Sequence, residues 1–142
     1  QQNTGLQIAF ASIQEPDEGD AAYLVDGDPS TIWHTMYSIT LAKYPHWVDF
    51  DAGKQKEIKG FTYLARQDGS LNGCIKDYEI YVSNDNKTWG EPVAKGSFEK
   101  TAKLQKVMFG KPVKARYVRL RALNEQSGQD YASGAEFTLV TE

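Results

Sequence analysis

The sequence has very little cysteine or histidine and no long apolar run. Cys74 is the only cysteine, so no disulfide can form within the chain, and we expect this thiol to be a small buried apolar group. The two histidines, His34 and His46, are together with Cys74 too few and too scattered for a zinc site. No run of eighteen apolar residues occurs, so the sequence predicts no membrane-spanning helix.

An excess of positive charge is also missing. The chain carries 16 Lys and Arg against 19 Asp and Glu, a net charge of −3, which gives no electrostatic reason to expect nucleic acid as a partner. Nine basic residues nevertheless lie in one quarter of the chain, between Lys95 and Arg121. They could form a patch for an anionic glycan or a lipid headgroup. Arg119 and Arg121 alternate with apolar residues, however, so we favour the interpretation that these charges line the solvated faces of strands.

Signatures of catalysis are scarce as well. No serine lies in a nucleophile-elbow pattern. A glycosidase needs two carboxylates across a cleft, and Asp49, Asp51 and Glu57 are candidates only by residue type. In a strand, Asp49 and Asp51 share the solvent-facing side, which accounts for them without chemistry. We therefore expect no catalytic residue and no enzymatic activity in this chain.

Short segments with alternating polarity dominate the sequence. Tyr78–Ser83 is the clearest, with Tyr78, Ile80 and Val82 on one face, and Asn84–Lys87 follows it as a hairpin turn. One helical turn is predicted at 21–25. The other predicted strands are 6–13, 47–51, 60–66, a return segment with Trp89 and Val93, 105–109, 116–122 and 135–140. About eight strands in 142 residues, with no linker or repeat, predict a single all-β domain, an antiparallel β-sandwich jelly roll.

The stretch Asp26–Tyr37 has the highest density of polar ligands. Gly27 and Pro29 break it, so it is predicted to be a structured loop, with Trp33 as the apolar plug that seats it on the core and the next residue pointing away. Two carboxylates two residues apart, followed by a hydroxyl, suit Ca²⁺, although the spacing is not that of an EF-hand. Asx-type turns, in which these side chains bind only their own backbone, account for the same residues.

Several directional hydrogen-bonding groups occur in loops. His34, Arg66 and Asn72 are flanked by turn residues, and Tyr37 and Tyr131 lie in similar surroundings. A sugar has a hydroxylated edge and an apolar C–H face, so its site needs an aromatic ring and a few fixed donors and acceptors. Purely structural roles are open to the same residues, because Arg66 can pair with Asp68, and Asn72 can serve a turn before the glycine that follows it.

Six blocks in fixed order resemble a known family. They are DGDPSTIWHT (26–35), PHWVDFD (45–51), ARQDGS with NG (65–73), YEIYVS (78–83), ARYVRLR (115–121) and AE (135–136). This order is similar to that of the discoidin-like galactose-binding domains of the coagulation factor C-type superfamily, in particular the family 32 carbohydrate-binding modules of glycoside hydrolases. The resemblance extends from about residue 21 to residue 140 and implies a β-sandwich jelly roll.

The resemblance implies a structural Ca²⁺ near one end of the sandwich. Asp26 and Asp28 would supply carboxylate oxygens, and Thr31 its hydroxyl and carbonyl. Tyr23 and Ala135 would add backbone oxygens, and Glu136 would be the distant acid. The ion would then tie the Asp26–Tyr37 stretch to the last strand and stabilise the fold by its binding free energy.

The resemblance also implies a sugar site in loops at one end. His34, Arg66 and Asn72 match the residues that contact the axial hydroxyl of galactose and its neighbours. Tyr131 matches the aromatic residue that lies against the apolar face of the sugar, and Tyr37 a second wall. Both tyrosines stand where relatives often carry Trp or Phe, and the 37–44 loop is individual to this chain.

These expectations combine into one functional hypothesis. The chain is expected to be a non-catalytic carbohydrate-binding module that recognises galactose or N-acetylgalactosamine and targets a covalently attached glycoside hydrolase to such glycans. We expect a secreted, periplasmic or cell-surface protein, bacterial and monomeric, with no nucleic-acid or membrane partner. The alternative is a discoidin-type domain that binds phospholipid or protein surfaces, which requires exposed apolar side chains beside basic ones at the loop tips.

Overall fold

A computed structural model describes residues 6–15, 19–36 and 43–141. In these ranges the strands are β1 (Gln7–Ala11), β2 (Trp33–His34), β3 (His46–Leu64), β4 (Asp77–Ser83), β5 (Ala94–Ser97), β6 (Gln105–Ala122), β7 (Ser133–Gly134) and β8 (Glu136–Val140). The predicted helical turn is a 3-10 helix at Ala21–Val25, capped by the Asp20 side chain, which accepts the N–H of Ala22 (3.0 Å). Within the same ranges, no helix is long and apolar enough to cross a membrane.

Two long strands, β3 and β6, pair antiparallel and contribute to both layers of a β-sandwich. The first half of β3 lies between β1 and the second half of β6, which continues to β4 and then β5. The second half of β3, from Gly60, lies between the first half of β6 and β8. All these pairings are antiparallel, which confirms the predicted sandwich jelly roll.

The strand boundaries differ from the predicted ones in several places. The return strand is β5 (Ala94–Ser97), so the prediction that it contains Trp89 and Val93 was wrong; both residues precede it. Segments 47–51 and 60–66 were predicted as separate strands, but both belong to β3, which ends at Leu64; likewise 105–109 and 116–122 both belong to β6.

In the sequence, Ala52–Gly53 is a turn signal that would end the segment 47–51. The backbone is irregular there, because Gly53 has φ of +88° and the β3–β6 register shifts beyond Asp51. The turn signal therefore marks an irregularity inside a continuous strand, of the kind that bends a strand from one layer toward the other.

Aromatic residues hold the two layers together. Phe50 of one layer stacks on Phe137 of the other, with ring centroids 4.2 Å apart. Phe61 contacts Phe137 at 5.6 Å and meets Tyr78 edge-on at 5.5 Å. All four residues are buried. Truncating such a ring to alanine costs about 3–5 kcal/mol, so this cluster is a main source of stability.

The outer face of the first layer carries ion pairs. Arg119 donates from Nε and Nη2 to the Asp49 carboxylate (2.7 and 3.0 Å), and its guanidinium lies 4.3 Å from the ring centroid of Trp89. Asp51 accepts two hydrogen bonds from Arg116, which lower the pKa of the Asp51 carboxyl. The expectation that Asp49 faces solvent was wrong, because these neighbours leave it only 2 % exposed.

Candidate functional site

The polar stretch that begins at Asp26 pairs with the segment before β8. It was expected to contain no strand, but Trp33 and His34 form β2, which pairs with Gly134 and Ser133 of β7. Trp33 is 1 % exposed and donates its indole N–H to the carbonyl of Ile13 (3.1 Å), so its predicted role as the core plug is confirmed. The short ladder fixes the residues after the plug against residues 131–134.

His34 lies against Tyr131. The centroids of the two rings are 5.5 Å apart, and the rings are tilted by 39°. Nδ1 of His34 donates to the carbonyl of Thr35 (2.7 Å), which in the neutral imidazole makes Nε2 the acceptor nitrogen. The expectation that His34 points away from the core holds only in part, because it lies beside the plug but is 8 % exposed.

Asn72 approaches β7 from the side opposite β2. The hydroxyl of Ser133 donates to the Asn72 carbonyl (2.6 Å), and the N–H of Ser133 donates to the Gly73 carbonyl (2.9 Å). Gly73 has φ of +83°, and a Cβ there would lie 2.6 Å from the Ser133 hydroxyl, so glycine is required. Asn72 does precede this turn, as its structural interpretation predicted. Its exposed amide has no partner within the described ranges and remains available to a ligand.

Arg66 follows the end of β3 at the same end of the sandwich. The Leu64 carbonyl accepts the N–H of Ala135 (2.8 Å), so Arg66 extends from a strand end held next to β7. Its Nε and Nη2 donate to Asp68 (2.9 and 2.7 Å), and this pair lowers the pKa of the Asp68 carboxyl. The predicted ion pair is therefore present, and it leaves Nη1 without a partner among the described residues.

The Tyr131 loop is anchored from below. The hydroxyl of Tyr44 donates to the Tyr131 carbonyl (2.8 Å), and Nε2 of His46 donates to the Asp130 carbonyl (2.6 Å). Burial lowers the pKa of His46 and raises that of Tyr44. Tyr37, the second predicted wall of the site, lies outside the described residues. The structure thus groups His34, Asn72 and Tyr131 around β7, with Arg66 at the neighbouring strand end.

Three residues that hold this site were missed by sequence analysis. Glu125 accepts the N–H of Gly73 (2.8 Å) from a loop distant in sequence. Thr35 donates its N–H to the Ala132 carbonyl (2.9 Å), and its hydroxyl accepts the N–H of Ala132 (3.0 Å). Ser133 links Asn72 to β7. Only their long-range contacts give these residues a role, and no local pattern signals it.

The predicted cation ligands lie at the start of the same polar stretch. Asp26 accepts the N–H of Asp28 (2.9 Å), and Asp28 accepts the N–H of Ser30 (2.9 Å), so the predicted Asx turns are present. The hydroxyl of Thr31 donates to Asp26 and, at 3.0 Å, to the Asp28 carbonyl. Hydrogen bonds from Ser30 lower the pKa of Asp28, which keeps this carboxylate ionised.

Glu136 gives an independent test of whether these residues fit a cation. It is 7 % exposed, and neither carboxylate oxygen has a hydrogen-bond partner among the described residues. Burial, reinforced by Asp26 and Asp28, raises the pKa of Glu136 to about 7. An unpaired buried carboxyl beside two more carboxylates is costly without a positive charge, so the donor set fits a hard divalent ion.

Side-chain acids alone do not make a complete metal site. In the ranges given above, no group of three or more His, Cys, Asp and Glu side chains is arranged to hold a metal. A cation would therefore need the Thr31 hydroxyl and the backbone oxygens of Tyr23 and Ala135 as well. Tyr23 lies in the 3-10 helix and Ala135 is the buried residue before β8, and these two elements are in contact.

The fold and the site together define the class of protein. It is an antiparallel β-sandwich whose polar loop residues lie beside a two-stranded ladder. The chain belongs to the F5/8 type C domain family, which it matches over residues 8–137. It is 44 % identical over 135 residues to a sialidase of Micromonospora viridifaciens, covering 92 % of this chain and 20 % of that protein. It is also 39 % identical to a galactose oxidase of Gibberella zeae, covering 93 % of this chain and 19 % of that protein.

Solved structures of similar proteins include family 32 carbohydrate-binding modules. CpGH89CBM32-5 from Clostridium perfringens, in complex with GalNAc-β-1,3-galactose, has a TM-score of 0.87 and 33 % identity, covering 96 % of this chain and 95 % of its own. The family 32 module of NanJ from the same organism, in complex with galactose, has a TM-score of 0.83 and 26 % identity, covering 96 % and 93 %. The chain spans about a fifth of the length of the first curated relatives it matches.

Proposed function

We propose that this chain is a non-catalytic carbohydrate-binding module that recognises terminal galactose or N-acetylgalactosamine. The observation that carries the proposal is the grouping of His34, Asn72 and Tyr131 around β7. The apolar wall and the directional groups that a sugar requires are an aromatic ring, an imidazole, and the Asn72 amide and Arg66 Nη1, which bond no other side chain or backbone group among the described residues.

The axial hydroxyl of galactose is the feature these groups suit. A hydroxyl that reaches both His34 and Arg66 satisfies an acceptor and a donor at once. An equatorial epimer would lose both of these hydrogen bonds to the sugar, and each such bond contributes about 0.5–1.5 kcal/mol, or about 1.5–3 kcal/mol where one partner is charged. Two similar modules were solved with galactose or a galactose-containing disaccharide, which supports the same ligand class here.

A second part of the proposal concerns the role within a larger protein. Relatives such as the sialidase are about five times as long as the matched segment, which supports a covalently attached catalytic domain, a glycoside hydrolase. A shallow site for one or two sugars gives weak affinity, and tethering then raises the local concentration of the enzyme at its glycan. Such a protein acts outside the cytoplasm, secreted, periplasmic or on the cell surface, and the module acts as a monomer.

The third part of the proposal is a structural Ca²⁺ held by Asp26, Asp28, Thr31 and Glu136 with the backbone oxygens of Tyr23 and Ala135. The unpaired carboxylate of Glu136 supports it. The ion would offset two of the three carboxylate charges and join the polar stretch to β8. Its role is stabilisation.

Calorimetric titration of this chain with galactose, N-acetylgalactosamine and lactose tests the sugar site. We expect binding that His34→Ala abolishes and that Asn72→Ala weakens about tenfold, the effect of losing roughly one good hydrogen bond. Asn84→Ala is the matched control, since Asn84 is an exposed loop asparagine beside β4 whose side chain, among the residues that the structure describes, bonds only Gln55. Absence of heat with all three sugars, or a His34→Ala variant equal to the parent, would refute the proposal.

One observation favours the phospholipid-binding alternative. Leu104 is 53 % exposed, and Lys100 and Lys103 lie on the same loop. This loop reaches the candidate site, because the Ala102 carbonyl accepts a hydrogen bond from Gln67 (2.8 Å). An apolar side chain beside lysines is the arrangement that anionic membranes bind. Co-sedimentation with phosphatidylserine vesicles, lost in Leu104→Ser, would support this alternative over the sugar.

A further inference from the structure

Lysine side chains gather on one half of the β3–β6 ladder. Residues 54–62 of β3 lie beside residues 105–115 of β6, and Glu57 is the only acidic residue in either segment. The lysine stripe is the set of six lysines in these segments: Lys54, Lys56, Lys59, Lys106, Lys111 and Lys114. It follows the ladder for about 20 Å, since strands rise ~3.3 Å per residue. This surface is therefore positive on a chain whose net charge is negative.

The strand pattern turns these lysines toward solvent. Lys106, Lys111 and Lys114 are exposed. Val107 and Val113, which are next to two of them, pack against the core instead, as the alternation of side chains along a strand requires. The positive charges therefore lie on the outer surface of the sandwich, where a partner can reach them.

The lysines differ from the arginines of this chain in having no acidic partner. Each of the four arginines forms an ion pair with a carboxylate. Within the described ranges no lysine does so, and even Glu57, which lies opposite Lys114 on the ladder, forms no salt bridge with it. The charge of the stripe is therefore available to an anionic partner.

The presence of lysine without arginine indicates which anion suits the stripe. The planar guanidinium of arginine matches a carboxylate with two parallel hydrogen bonds, as Arg116 and Asp51 show in this molecule. The ammonium group of lysine is a hydrated point charge on a flexible stem, which suits phosphate in any orientation. Lysine is also depleted in closely packed protein interfaces. A row of lysines suits a polymer of repeated phosphates, bound by release of its counterions.

Two other phosphate-bearing partners suit the stripe less. Single-stranded nucleic acid is bound through aromatic rings on which its bases stack. The aromatic residues of the two segments, Phe61 and Phe109, instead contact each other (ring centroids 6.2 Å apart) and pack in the core. A membrane is bound by apolar side chains that project beside the basic ones. Met108 is exposed, but a Cβ on Gly60 would lie 3.0 Å from its sulfur, so Met108 lies across the neighbouring strand.

We propose that the lysine stripe binds a linear phosphodiester polymer that lacks nucleobases, such as a chain of polyol phosphates. The proposal goes beyond the sugar site and does not depend on it. The stripe extends from the level of Thr62 along β3 toward Lys54, away from Leu64 and the loop that carries Arg66. Polymer and sugar can therefore be bound at the same time. The polymer would hold the protein on a phosphate-rich surface while the sugar site remains open.

Titration of this chain into fluorescently labelled poly(glycerol phosphate), followed by fluorescence anisotropy, tests the proposal. We expect saturable binding whose affinity falls about fiftyfold between 50 and 200 mM salt, the effect of about four lysines that neutralise phosphates on a single strand. Polygalacturonate, single-stranded DNA and phosphatidylglycerol vesicles at the same charge concentration should compete less effectively than unlabelled polymer. Absence of binding at the lower salt concentration, or a competitor that equals the polymer, would overturn the proposal.

Two triple variants separate the stripe from the overall charge of the chain. Replacement of Lys106, Lys111 and Lys114 by Gln should weaken polymer binding about tenfold or more. Replacement of Lys76, Lys87 and Lys95 by Gln is the matched control, because it removes the same charge from three exposed lysines elsewhere and should leave polymer binding unchanged. Galactose affinity should be the same in both variants. Equal losses of polymer binding in the two variants would overturn the stripe.

The two methionines allow a measurement on the unmodified chain. Met108 lies within the stripe, and Met36 follows the β2 segment that carries His34. In a spectrum of ¹³C-methyl methionine, the Met108 signal should shift on addition of poly(glycerol phosphate), while the Met36 signal stays in place. A Met108 signal that does not move at saturating polymer, or a Met36 signal that responds more strongly, would overturn the stripe. Neither result affects the proposed sugar site, which galactose titration tests separately.

Discussion

The carboxylate of Glu125 accepts the backbone N–H of Gly73 (2.8 Å), a residue 52 positions away. Its second oxygen accepts the N–H groups of Ser127 and Gln129 (2.8 and 2.9 Å). Glu125 is 2 % exposed, so these three bonds form away from solvent. One buried side chain therefore sets the conformation of the turn beside Asn72 and joins it to the loop that leads to Tyr131.

Replacing Glu125 should affect stability and sugar binding together. In Glu125→Gln, one carboxylate oxygen is replaced by an amide NH₂ group, which cannot accept a hydrogen bond from a backbone N–H. At least one hydrogen bond to the carboxylate is therefore lost, and the free energy of unfolding should fall by about 2–3 kcal/mol. Galactose affinity should fall as well, because Asn72 and the Tyr131 loop lose their common support. Urea unfolding and calorimetry measure the two effects.

Glu57→Gln is the matched control, because Glu57 is exposed and makes no hydrogen bond or ion pair through its side chain within the described ranges. It should leave both quantities unchanged. A Glu125→Gln variant that is destabilised but binds galactose with parental affinity would show that Glu125 supports the fold without positioning the site.

The ion pairs on the outer sheet face should differ greatly in their contribution to stability. Asp49 is nearly inaccessible (3 % side-chain exposure), and Arg119 covers it between two tryptophans. Arg119→Met should therefore cost about 3–5 kcal/mol, because it leaves a buried carboxylate without its partner. Arg121 pairs with Glu79 at 3.2 Å with 38 % of its side chain exposed, so Arg121→Met should cost about 1 kcal/mol or less.

Urea unfolding of both arginine variants measures this difference. The same measurement on the double variant Asp49→Leu/Arg119→Met tests whether the buried charge is its cause. If the buried charge causes the loss, the double variant should recover most of it. Equal losses in Arg119→Met and Arg121→Met would show that burial of Asp49 has little energetic consequence.

Much of the fold follows from local pattern, and the limits of that pattern are visible at particular residues. Alternation places Tyr78 and Ile80 in the core correctly, because one buried face is a property of each strand by itself. The turn signal at Gly53 also corresponds to a real feature. Whether such a signal ends a strand or bends it depends on the partner strand, and β6 continues beside it. The sequence of β3 alone therefore could not predict that β3 continues through Gly53 as one strand.

The candidate site shows the same limit more sharply. Trp33 could be predicted as the core plug because a large apolar residue interrupts a polar stretch. The two-residue strands β2 and β7 could not be predicted, because two residues are too few to show a periodicity. Each strand forms only through its pairing with the other. The role of Glu125 depends on closing a loop of 52 residues. The resemblance to a family, which carries long-range information, brought together as one candidate site the residues that local reasoning left unconnected.

Without a cation, the carboxyl of Glu136 should make stability fall as pH rises. Its pKa is raised from 4.5 to about 7, so between these values the folded state holds more protons than the unfolded state. The free energy of unfolding then decreases with rising pH across that window, by roughly 1–3 kcal/mol. Thermal unfolding in a chelating buffer at pH 4.5, 5.5, 6.5 and 7.5 measures this decrease.

Addition of Ca²⁺ should reverse this trend, because the proposed ion requires ionised ligands. The rise in melting temperature on adding Ca²⁺ should be small at pH 4.5 and largest at pH 7.5. Glu136→Gln should abolish both the decrease in chelator and the gain with Ca²⁺, whereas Glu57→Gln should preserve both. A melting temperature insensitive to Ca²⁺ at every pH would exclude the proposed structural ion.

His46 should make the Tyr131 loop sensitive to acid. Burial holds the pKa of His46 below its ordinary value of 6.5, and Nε2 donates to the Asp130 carbonyl (2.6 Å). Below pH 6.5 the unfolded state takes up more protons than the folded state, so stability is lost as pH falls. In the Glu136→Gln background in a chelating buffer, where the pH dependence of Glu136 and of Ca²⁺ is removed, the melting temperature and galactose affinity should both decrease from pH 6.5 to 5. His46→Gln, which keeps an N–H donor without a titrating ring, should flatten the decrease in melting temperature, while His34→Ala should retain it. The opposite result from these two variants would assign the acid sensitivity to His34.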